Sequence, residues 1–265
     1  MWQYQVLKTG FFRADGGAMF GMIPQRVWQR RYRADAANRC ILAMNCLLLW
    51  NDTRVILLDT GVGTKDLGVL SSYHFRDTED IAAGVRKARF APEQVTDVVL
   101  SHLHFDHCGG CTHKDRAGKL LVTFPQAMHW VGESQFTNYL SPHTLEKSSY
   151  RPADFMPVAE SGRMTLLRDD SELYPGLRVS LHDGHTPGQI VVAFKASAGT
   201  VVFPGDVIPT KAHWSGEWIS AYDTHPLESF DAKAALKQQL KKENAAVVFY
   251  HDAYTEMYDP RLLKK

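Results

Sequence analysis

The chain has 265 residues, of which 45% are hydrophobic and 22% charged, an ordinary composition for a globular protein. Its 30 basic and 29 acidic residues nearly balance, and its only basic cluster is the short run QRRYR at 29–33. This composition argues against a nucleic-acid-binding surface and favours an enzyme that acts on a small, weakly charged molecule.

The sequence also gives expectations about location. The opening MWQYQVLKTGFF lacks a basic segment followed by an apolar run, so we expect no secretory signal. No window approaches eighteen consecutive apolar residues, so we expect no membrane span and no membrane partner. We therefore expect a cytoplasmic protein whose partner is a small-molecule substrate, and we leave a homodimer open.

Four cysteines could hold a structural zinc ion or remain free. Cys108 and Cys111 form a C-x-x-C, a spacing that is typical of zinc knuckles and of redox pairs. A structural zinc needs a second pair of matching spacing, and Cys40 and Cys46 do not provide it. Free thiols are the expected state in the cytoplasm.

In the first half of the chain, apolar runs at 40–50 and 53–61 predict a β-hairpin. The stretch 76–90 predicts a helix, because its acidic residues come early and its basic residues late. VTDVVLSHLH, at 95–104, then predicts a strand that runs into a histidine cluster. Between 112 and 160 only a loosely helical stretch near 132–147 is predicted.

The second half continues the alternation of strands and helices. LRVSLHDG, QIVVAFKA and GTVVFPGD predict three short strands, and AVVFYHDA predicts a last one. Between them a helix is predicted from Pro226, with Ala232, Leu236 and Leu240 at four-residue spacing. Strands and helices in both halves predict an α/β sandwich with mixed sheets, in one domain over 1–265.

The stretch SHLHFDHCGG, at 101–110, concentrates metal-binding side chains. On a strand of period two, His102 and His104 would point the same way, and Asp106 and His107 would turn to a neighbouring position. Imidazole and carboxylate donors suit zinc or a related divalent ion. These two pairs are too few for two metal ions, so further ligands are needed.

Three further candidates stand at predicted strand ends. His185 lies in the turn HDGHTPGQ, Asp206 follows a strand in VVFPGD, and His251 ends the run VVFYH. Each alone is ordinary turn chemistry. Their shared placement at strand ends favours a site at one edge of the two sheets.

The ordered series H-x-H-x-D-H, G-H-T-P-G, G-D and a terminal histidine resembles that of the metallo-β-lactamase fold hydrolases. SHLHFDHCGG is most similar to the motif of the N-acyl homoserine lactone lactonases, and the match spans residues from about 40 to 252. The resemblance implies a four-layer αββα sandwich with two divalent metal ions, Zn²⁺ or alternatively Mn, Fe or Co. The implied ligands are His102, His104 and His185 for one metal, Asp106, His107 and His251 for the other, and Asp206 as the bridge.

The resemblance also implies an activity. A hydroxide bridging the two ions would open a lactone or related ester, such as an N-acyl homoserine lactone in quorum quenching, because bound metal lowers the pKa of water. Asp106 or Asp206 would pass a proton to the leaving alkoxide. Asp59, which closes VILLDTG, matches a family aspartate that orients a ligand histidine.

Two parts of the sequence offer candidate residues for substrate binding. The lactonases have a tyrosine shortly after the bridging aspartate, whereas this chain has Ile208 and no tyrosine there; His213 or Tyr222 could replace it, or could be packing residues. The segment 10–30 is expected to form a flexible loop near the pocket. Within it Met19, Phe20 and Met22 are predicted to line an acyl or aromatic wall, with a buried core edge as the alternative.

Other functions stay open. A glyoxalase II-type thioesterase uses the same seven ligands, although only KQQLKK offers basic groups for glutathione. Phosphotriester or aryl ester hydrolysis would use the same chemistry. A metal-containing ligand-binding protein is the non-enzymatic alternative. A true β-lactamase is disfavoured, because those enzymes lack the bridging aspartate.

We predict that the C-x-x-C is dispensable for metal binding. Cys108→Ser combined with Cys111→Ser keeps both ions, because neither thiol belongs to the implied ligand set. Metal analysis of the purified double variant checks this expectation. A loss of both ions would contradict the assignment of these thiols as free.

Overall fold

The computed structural model describes residues 1–263 and contains fourteen strands and eight α-helices there. The strands are β1 (Gln3–Asp15), β2 (Arg39–Trp50), β3 (Val55–Leu58), β4 (Asp97–Val99), β5 (Thr112–Lys114), β6 (Leu120–Val122), β7 (Met128–Gly132), β8 (Met164–Leu167), β9 (Ser171–Tyr174), β10 (Leu177–His182), β11 (Gln189–Ala196), β12 (Gly199–Phe203), β13 (Ala246–Val248) and β14 (Met257–Tyr258). The helices are α1 (Gly16–Phe20), α2 (Gln25–Trp28), α3 (Ile81–Lys87), α4 (Phe105–Cys108), α5 (Glu133–Leu140), α6 (Pro152–Glu160), α7 (Lys211–Ser215) and α8 (Pro226–Glu243).

The strands form two six-stranded mixed sheets and a small hairpin. The first sheet has the order β1-β2-β3-β4-β7-β8, and its strands from β3 onward are parallel. The second has the order β14-β13-β12-β11-β10-β9, with a single parallel pair between β12 and β13. β5 and β6 pair separately.

The two sheets enclose a common core, and helices cover their outer faces. Val192 of β11 belongs to the core shared by both sheets, whereas its neighbour Val191 packs with Leu236 of α8 on the other face. On the first sheet, α3 packs against β1, where Gly84 lies beside Leu7. The predicted αββα sandwich is therefore confirmed.

Most of the predicted elements are present. β2 and β3 form the predicted hairpin, with Leu47 opposite Leu58. α3 begins after Asp80, whose side chain accepts a hydrogen bond from Ala82 N–H, and its last turn carries Arg86 and Lys87 as the helix dipole favours. β10, β11, β12 and α8 also occur where the sequence predicts them.

The strand before the histidine cluster is shorter than predicted. β4 ends at Val99, so His102 lies in the following loop, and His104 immediately precedes α4 without a capping bond from its side chain. The prediction that a two-residue strand period aligns these two histidines is wrong. Asp106 and His107 lie on α4 itself, a single helical turn.

Three other boundaries differ from the prediction. The segment 10–30 is not a loop, because β1 continues to Asp15 and α1 and α2 follow it. The helix predicted near 132–147 ends at Leu140. β13 is not the last strand, since β14 pairs with it.

None of the helices in the described part of the chain is long and apolar enough to cross a membrane.

Backbone hydrogen bonds join the two sheets at one edge. Ala43 N–H of β2 donates to His251 O at 3.1 Å, and Asn45 N–H donates to Tyr250 O at 3.0 Å. The Asn45 side chain also donates to Phe249 O at 2.9 Å. The segment that follows β13 is therefore fixed against the first sheet, which brings His251 to the other histidines.

The two glycines after the histidine motif allow a close approach of backbones. A Cβ at Gly109 would lie 2.3 Å from Val62 O, and one at Gly110 would lie 2.3 Å from Thr60 O. Thr60 N–H donates to His107 O at 2.7 Å across this contact. Any side chain at either glycine would separate α4 from the loop that follows β3.

A buried ion pair supports the same region. Lys65 Nζ lies 2.8 Å from Asp154 Oδ1, and both side chains are almost fully buried. Lys65 also donates to Gly109 O and to Thr112 O. Burial raises the pKa of Asp154, and the nearby Lys65 opposes that rise. The ammonium group therefore links the base of the histidine loop to α6.

We predict that Lys65→Met lowers the free energy of unfolding by roughly 3–5 kcal/mol, because it leaves the buried carboxyl group of Asp154 with only the more distant Arg151, 3.9 Å away. Urea unfolding measures the change. Lys87→Met, which removes a surface pair with Glu79, is the matched control and should cost at most about 1 kcal/mol. If Lys65→Met were as stable as this control, the supporting role of the pair would be wrong.

Candidate metal centre

A first cluster of donors is formed by the loop before α4 and the turn between β10 and β11. His102 Nε2 lies 3.0 Å from His104 Nδ1, and His185 Nε2 lies 3.3 Å from the same atom. All three side chains are buried. One nitrogen of each imidazole therefore points to a common point.

A second cluster lies beside it, formed by α4 and the segment after β13. His107 Nε2 lies 3.3 Å from His251 Nε2, and Asp106 Oδ2 lies 3.5 Å from that nitrogen. The three donors are within 4.8 Å of one another. The motif on α4 thus faces the last histidine of the chain across the edge of the two sheets.

Asp206 stands between the clusters. It follows β12, and its Oδ2 lies 3.4 Å from His185 Nε2 and 3.6 Å from His107 Nε2. Its Oδ1 lies 3.3 Å from His251 Nε2. A single carboxylate therefore faces both donor sets. The structure brings together all seven side chains that the sequence resemblance implies as ligands.

The donors fit two divalent cations. Neutral His107 and His251 each donate through Nδ1, so the lone pairs on their Nε2 atoms face each other at 3.3 Å with no proton between them. Asp206 Oδ1 is buried without a hydrogen-bond donor in suitable geometry, and an unsatisfied buried carboxylate is costly. Cations placed between the histidines and Asp206 would satisfy both sets of atoms with ligands that zinc prefers.

The electrostatics also suit a cation. Burial lowers the pKa of His102 well below its usual value, and neighbouring imidazoles add to the effect. Burial opposes protonation of His107 as well, but the carboxylates of Asp206 and Asp106 outweigh it and raise its pKa. Burial disfavours the charge on Asp206, yet His251 and His107 hold its pKa well below the usual range. Asp206 therefore remains ionised.

Asp59 orients one of these histidines, as the resemblance implies. Its Oδ2 accepts a hydrogen bond from His107 Nδ1 at 2.8 Å. Ser101 N–H and Oγ–H donate to the two oxygens of Asp59, each at 2.7 Å. Asp59 adopts a left-handed backbone conformation, with φ of 56°, which turns the chain at the end of β3. The aspartate thus leaves Nε2 of His107 facing the cluster.

Two further carboxylates hold histidines, and sequence reasoning missed both. Asp223 Oδ1 lies 2.9 Å from His185 Nδ1, and Glu146 Oε1 lies 2.9 Å from His104 Nε2. Neither acid belongs to a motif, and each is about 40 residues from its histidine, so no local signal identifies it. His251 Nδ1 donates instead to the backbone, to Ala43 O at 2.9 Å.

A cavity of about 410 Å³ opens beside the two clusters. Its apolar wall is formed mainly by Phe12, Met19, Leu42, Tyr73, Phe105, Leu145 and Tyr222. Three donor histidines, His104, His185 and His251, also line it, together with the acids Asp106, Glu146, Asp206 and Asp223. Within residues 1–263, no lysine or arginine lines it.

The predicted substrate-binding residues divide into two groups. Met19 and Tyr222 line the cavity. Phe20 and His213 lie behind the wall, where their rings stack at 5.0 Å and His213 Nε2 donates to Met19 O at 2.9 Å. Met22 points to solvent, 89% exposed. The prediction of a pocket wall is therefore wrong for Phe20 and Met22, and His213 has the packing role that the sequence left open.

The cysteines take no part in the cluster. All four are free and buried, and none belongs to a group of metal-competent side chains among the described residues. Cys108 Sγ donates to Leu103 O at 3.3 Å, and Cys111 Sγ lies 3.6 Å from Thr60 Oγ1. Burial raises the pKa of Cys111 to about 12, so this thiol stays protonated.

Comparisons with known proteins agree with this geometry. The model of the metallo-beta-lactamase superfamily matches residues 42–251. An N-acyl homoserine lactonase from Bacillus cereus is 24% identical over 236 residues, which cover 80% of this chain and 82% of the relative.

Solved structures show the same fold. A probable metal-dependent hydrolase from Staphylococcus aureus is 26% identical, with a TM-score of 0.89 over 97% of this chain and 91% of its own. AidC, a dizinc quorum-quenching lactonase solved with a homoserine product, is 18% identical, with a TM-score of 0.76 over 97% and 89%. The superfamily match contains all seven clustered donors. The chain belongs to the metallo-beta-lactamase superfamily and is a metal-dependent hydrolase.

Proposed function

We propose that this hydrolase opens a lactone or a related uncharged ester at a dinuclear metal centre, with N-acyl homoserine lactones as the leading substrates. The observation that carries the proposal is the cavity, which joins an apolar wall to both donor clusters and has no basic residue in the described chain. Similarity to lactonases from Bacillus supports the same substrate class.

The seven donors would hold two divalent ions. His102, His104 and His185 suit one ion, Asp106, His107 and His251 suit the other, and Asp206 faces both. Imidazole and carboxylate donors favour Zn²⁺, with Mn, Fe or Co as alternatives. When bound, the ions would lower the pKa of water and polarise a carbonyl oxygen.

The protein would supply the proton transfers and the binding energy. Asp106 and Asp206 both line the cavity, so either carboxylate can accept a proton from water and pass it to the leaving alkoxide. Phe12, Met19 and Leu42 would bind an acyl chain by burying its apolar surface. The same wall keeps bulk water away from the reacting ester.

A phenol from elsewhere in the chain would replace the tyrosine that is absent after Asp206. Pro209 lines the cavity near that position, and Tyr73 and Tyr222 also line it. Burial, with smaller contributions from Tyr73 and Asp106, raises the pKa of Tyr222 to about 12. Tyr222 therefore keeps its proton at neutral pH and can donate a hydrogen bond to a substrate carbonyl.

The charge of the cavity argues against anionic substrates. A glutathione thioester carries carboxylates that need basic partners, and the wall provides none. The run KQQLKK lies on α8, where Lys237 pairs with Glu217 at 2.7 Å, and none of its lysines lines the cavity. A glyoxalase II-like thioesterase is therefore less well supported than a lactonase.

We predict that Asp206→Asn binds the metal pair weakly and lowers turnover by two or more orders of magnitude, within the roughly 10²–10⁴-fold effect of a positioned acid–base group. Asparagine keeps the shape but removes the charge that faces both clusters. Metal stoichiometry and turnover are measured on the same preparation. Two tightly bound ions with near-normal turnover would contradict the bridging role and the two-metal mechanism.

We predict a preference for uncharged substrates. In a panel of acyl homoserine lactones, simple lactones, aryl esters, phosphotriesters and a glutathione thioester, kcat/KM for the best lactone should exceed that for the thioester at least tenfold, or about 1.4 kcal/mol. Asp206→Asn serves as the inactive control. If the glutathione thioester were turned over fastest, the proposal of lactonase activity would be wrong. Two bound ions without turnover on any member would favour a ligand-binding protein.

A further inference from the structure

The segment 141–149, between α5 and α6, contributes to both the cavity and the metal centre. Leu145 lines the cavity although it is 80% exposed, and Ser149 lines it further along the segment. Between them Glu146 is only 4% exposed and turns inward to His104. An otherwise exposed stretch is thus attached to the donor cluster through one buried acid.

Glu146 is held by hydrogen bonds on both oxygens. Oε1 accepts from His104 Nε2 at 2.9 Å and from the Tyr150 hydroxyl. Oε2 accepts from Asn138 Nδ2 at 2.8 Å. The Tyr150 hydroxyl also lies 2.9 Å from Thr186 Oγ1, next to the donor His185. The network therefore connects two donor loops with the wall segment.

The contact fixes which nitrogen of His104 faces the cluster. A carboxylate only accepts, so the proton is on Nε2, and the lone pair of the neutral ring is on Nδ1. That Nδ1 lies 3.0 Å from His102 Nε2 and 3.3 Å from His185 Nε2. Glu146 thereby presents the correct atom of His104 to the first donor cluster.

We propose that Glu146 is a positioning residue that couples the wall segment 141–149 to the first metal site. The inference rests on the metal centre of the proposed function but does not depend on the substrate. When Nδ1 of His104 holds a cation, its Nε2–H would become a stronger donor, and the hydrogen bond to Glu146 would be stronger. Because coupling between two binding equilibria is reciprocal, the ordered segment also strengthens metal binding.

The test uses zinc-loaded protein and two readouts that do not require turnover. A competing chelator is titrated into wild type, Glu146→Ala and Glu146→Gln, while hydrogen exchange is followed in the backbone of residues 141–150. Glu133→Gln is the matched control, because Glu133 is a half-exposed acid on α5 that pairs only with Arg168 at the surface. The control should behave as wild type in both readouts.

In wild type, exchange in 141–150 should rise as zinc is removed. Glu146→Ala should lose one ion at a 10–100-fold lower chelator concentration, the usual effect of removing a partner of a ligand histidine. Its segment should exchange fast even with both ions bound. Glu146→Gln keeps an acceptor for His104 but presents an amide to Asn138, so it should lie between the two.

Three results would overturn the inference. The first is wild-type zinc retention in Glu146→Ala. The second is exchange in 141–150 that does not change when zinc leaves the wild type. The third applies if Glu146→Ala does not fold. In that case Glu146→Gln is the test, and a Glu146→Gln variant that matches wild type in both readouts would overturn the inference. If the wild-type protein bound no zinc, the proposed metal centre would be wrong as well. If it bound zinc but did not turn over lactones, only the proposed substrate would be wrong.

Discussion

Burial of seven polar donors in one small volume is the constraint on which the rest of the structure depends. Five imidazoles and two carboxylates converge at the edge of the two sheets with hardly any solvent around them. Such groups are costly to bury unless each finds a partner. The ring nitrogens that face one another and the unsatisfied oxygen of Asp206 have no adequate partner in the protein. Bound cations would relieve this cost.

The histidines are aimed by groups from distant parts of the chain. Asp59 holds His107, Asp223 holds His185, and the loop before α6 holds His104 through its own carboxylate. The backbone of β2 holds the last histidine. These supports lie on the first sheet and on two connecting segments, whereas the donors His185 and Asp206 follow strands of the second sheet. The donor geometry therefore forms only when the whole sandwich is assembled. Metal binding should therefore add to folding stability.

The sequence predicts the donors better than their surroundings. The motif 101–110 places four donors within six residues, and Asp206 and His251 follow recognisable strands, so the local sequence pattern is sufficient to find them. The partners Asp223 and Glu146 depend on which distant segments pack together, and no spacing encodes that. The local sequence pattern also does not predict which side chains point into the cavity. Phe20 and Met19 are adjacent on α1, yet only Met19 reaches the cavity.

Electrostatic balance supports the proposal that the substrate is an uncharged ester. Five carboxyl groups surround the centre, two as donors and three that hold histidines, and two divalent ions would offset most of their negative charge. A substrate anion then meets little net attraction, and the cavity wall has no lysine or arginine in the described chain to compensate. An uncharged lactone loses little solvation free energy when it enters the cavity, and its acyl chain buries apolar surface against the wall. In the proposed reaction, charge would develop on the substrate only as its carbonyl is attacked, and bound ions and the phenol of Tyr222 would stabilise it there.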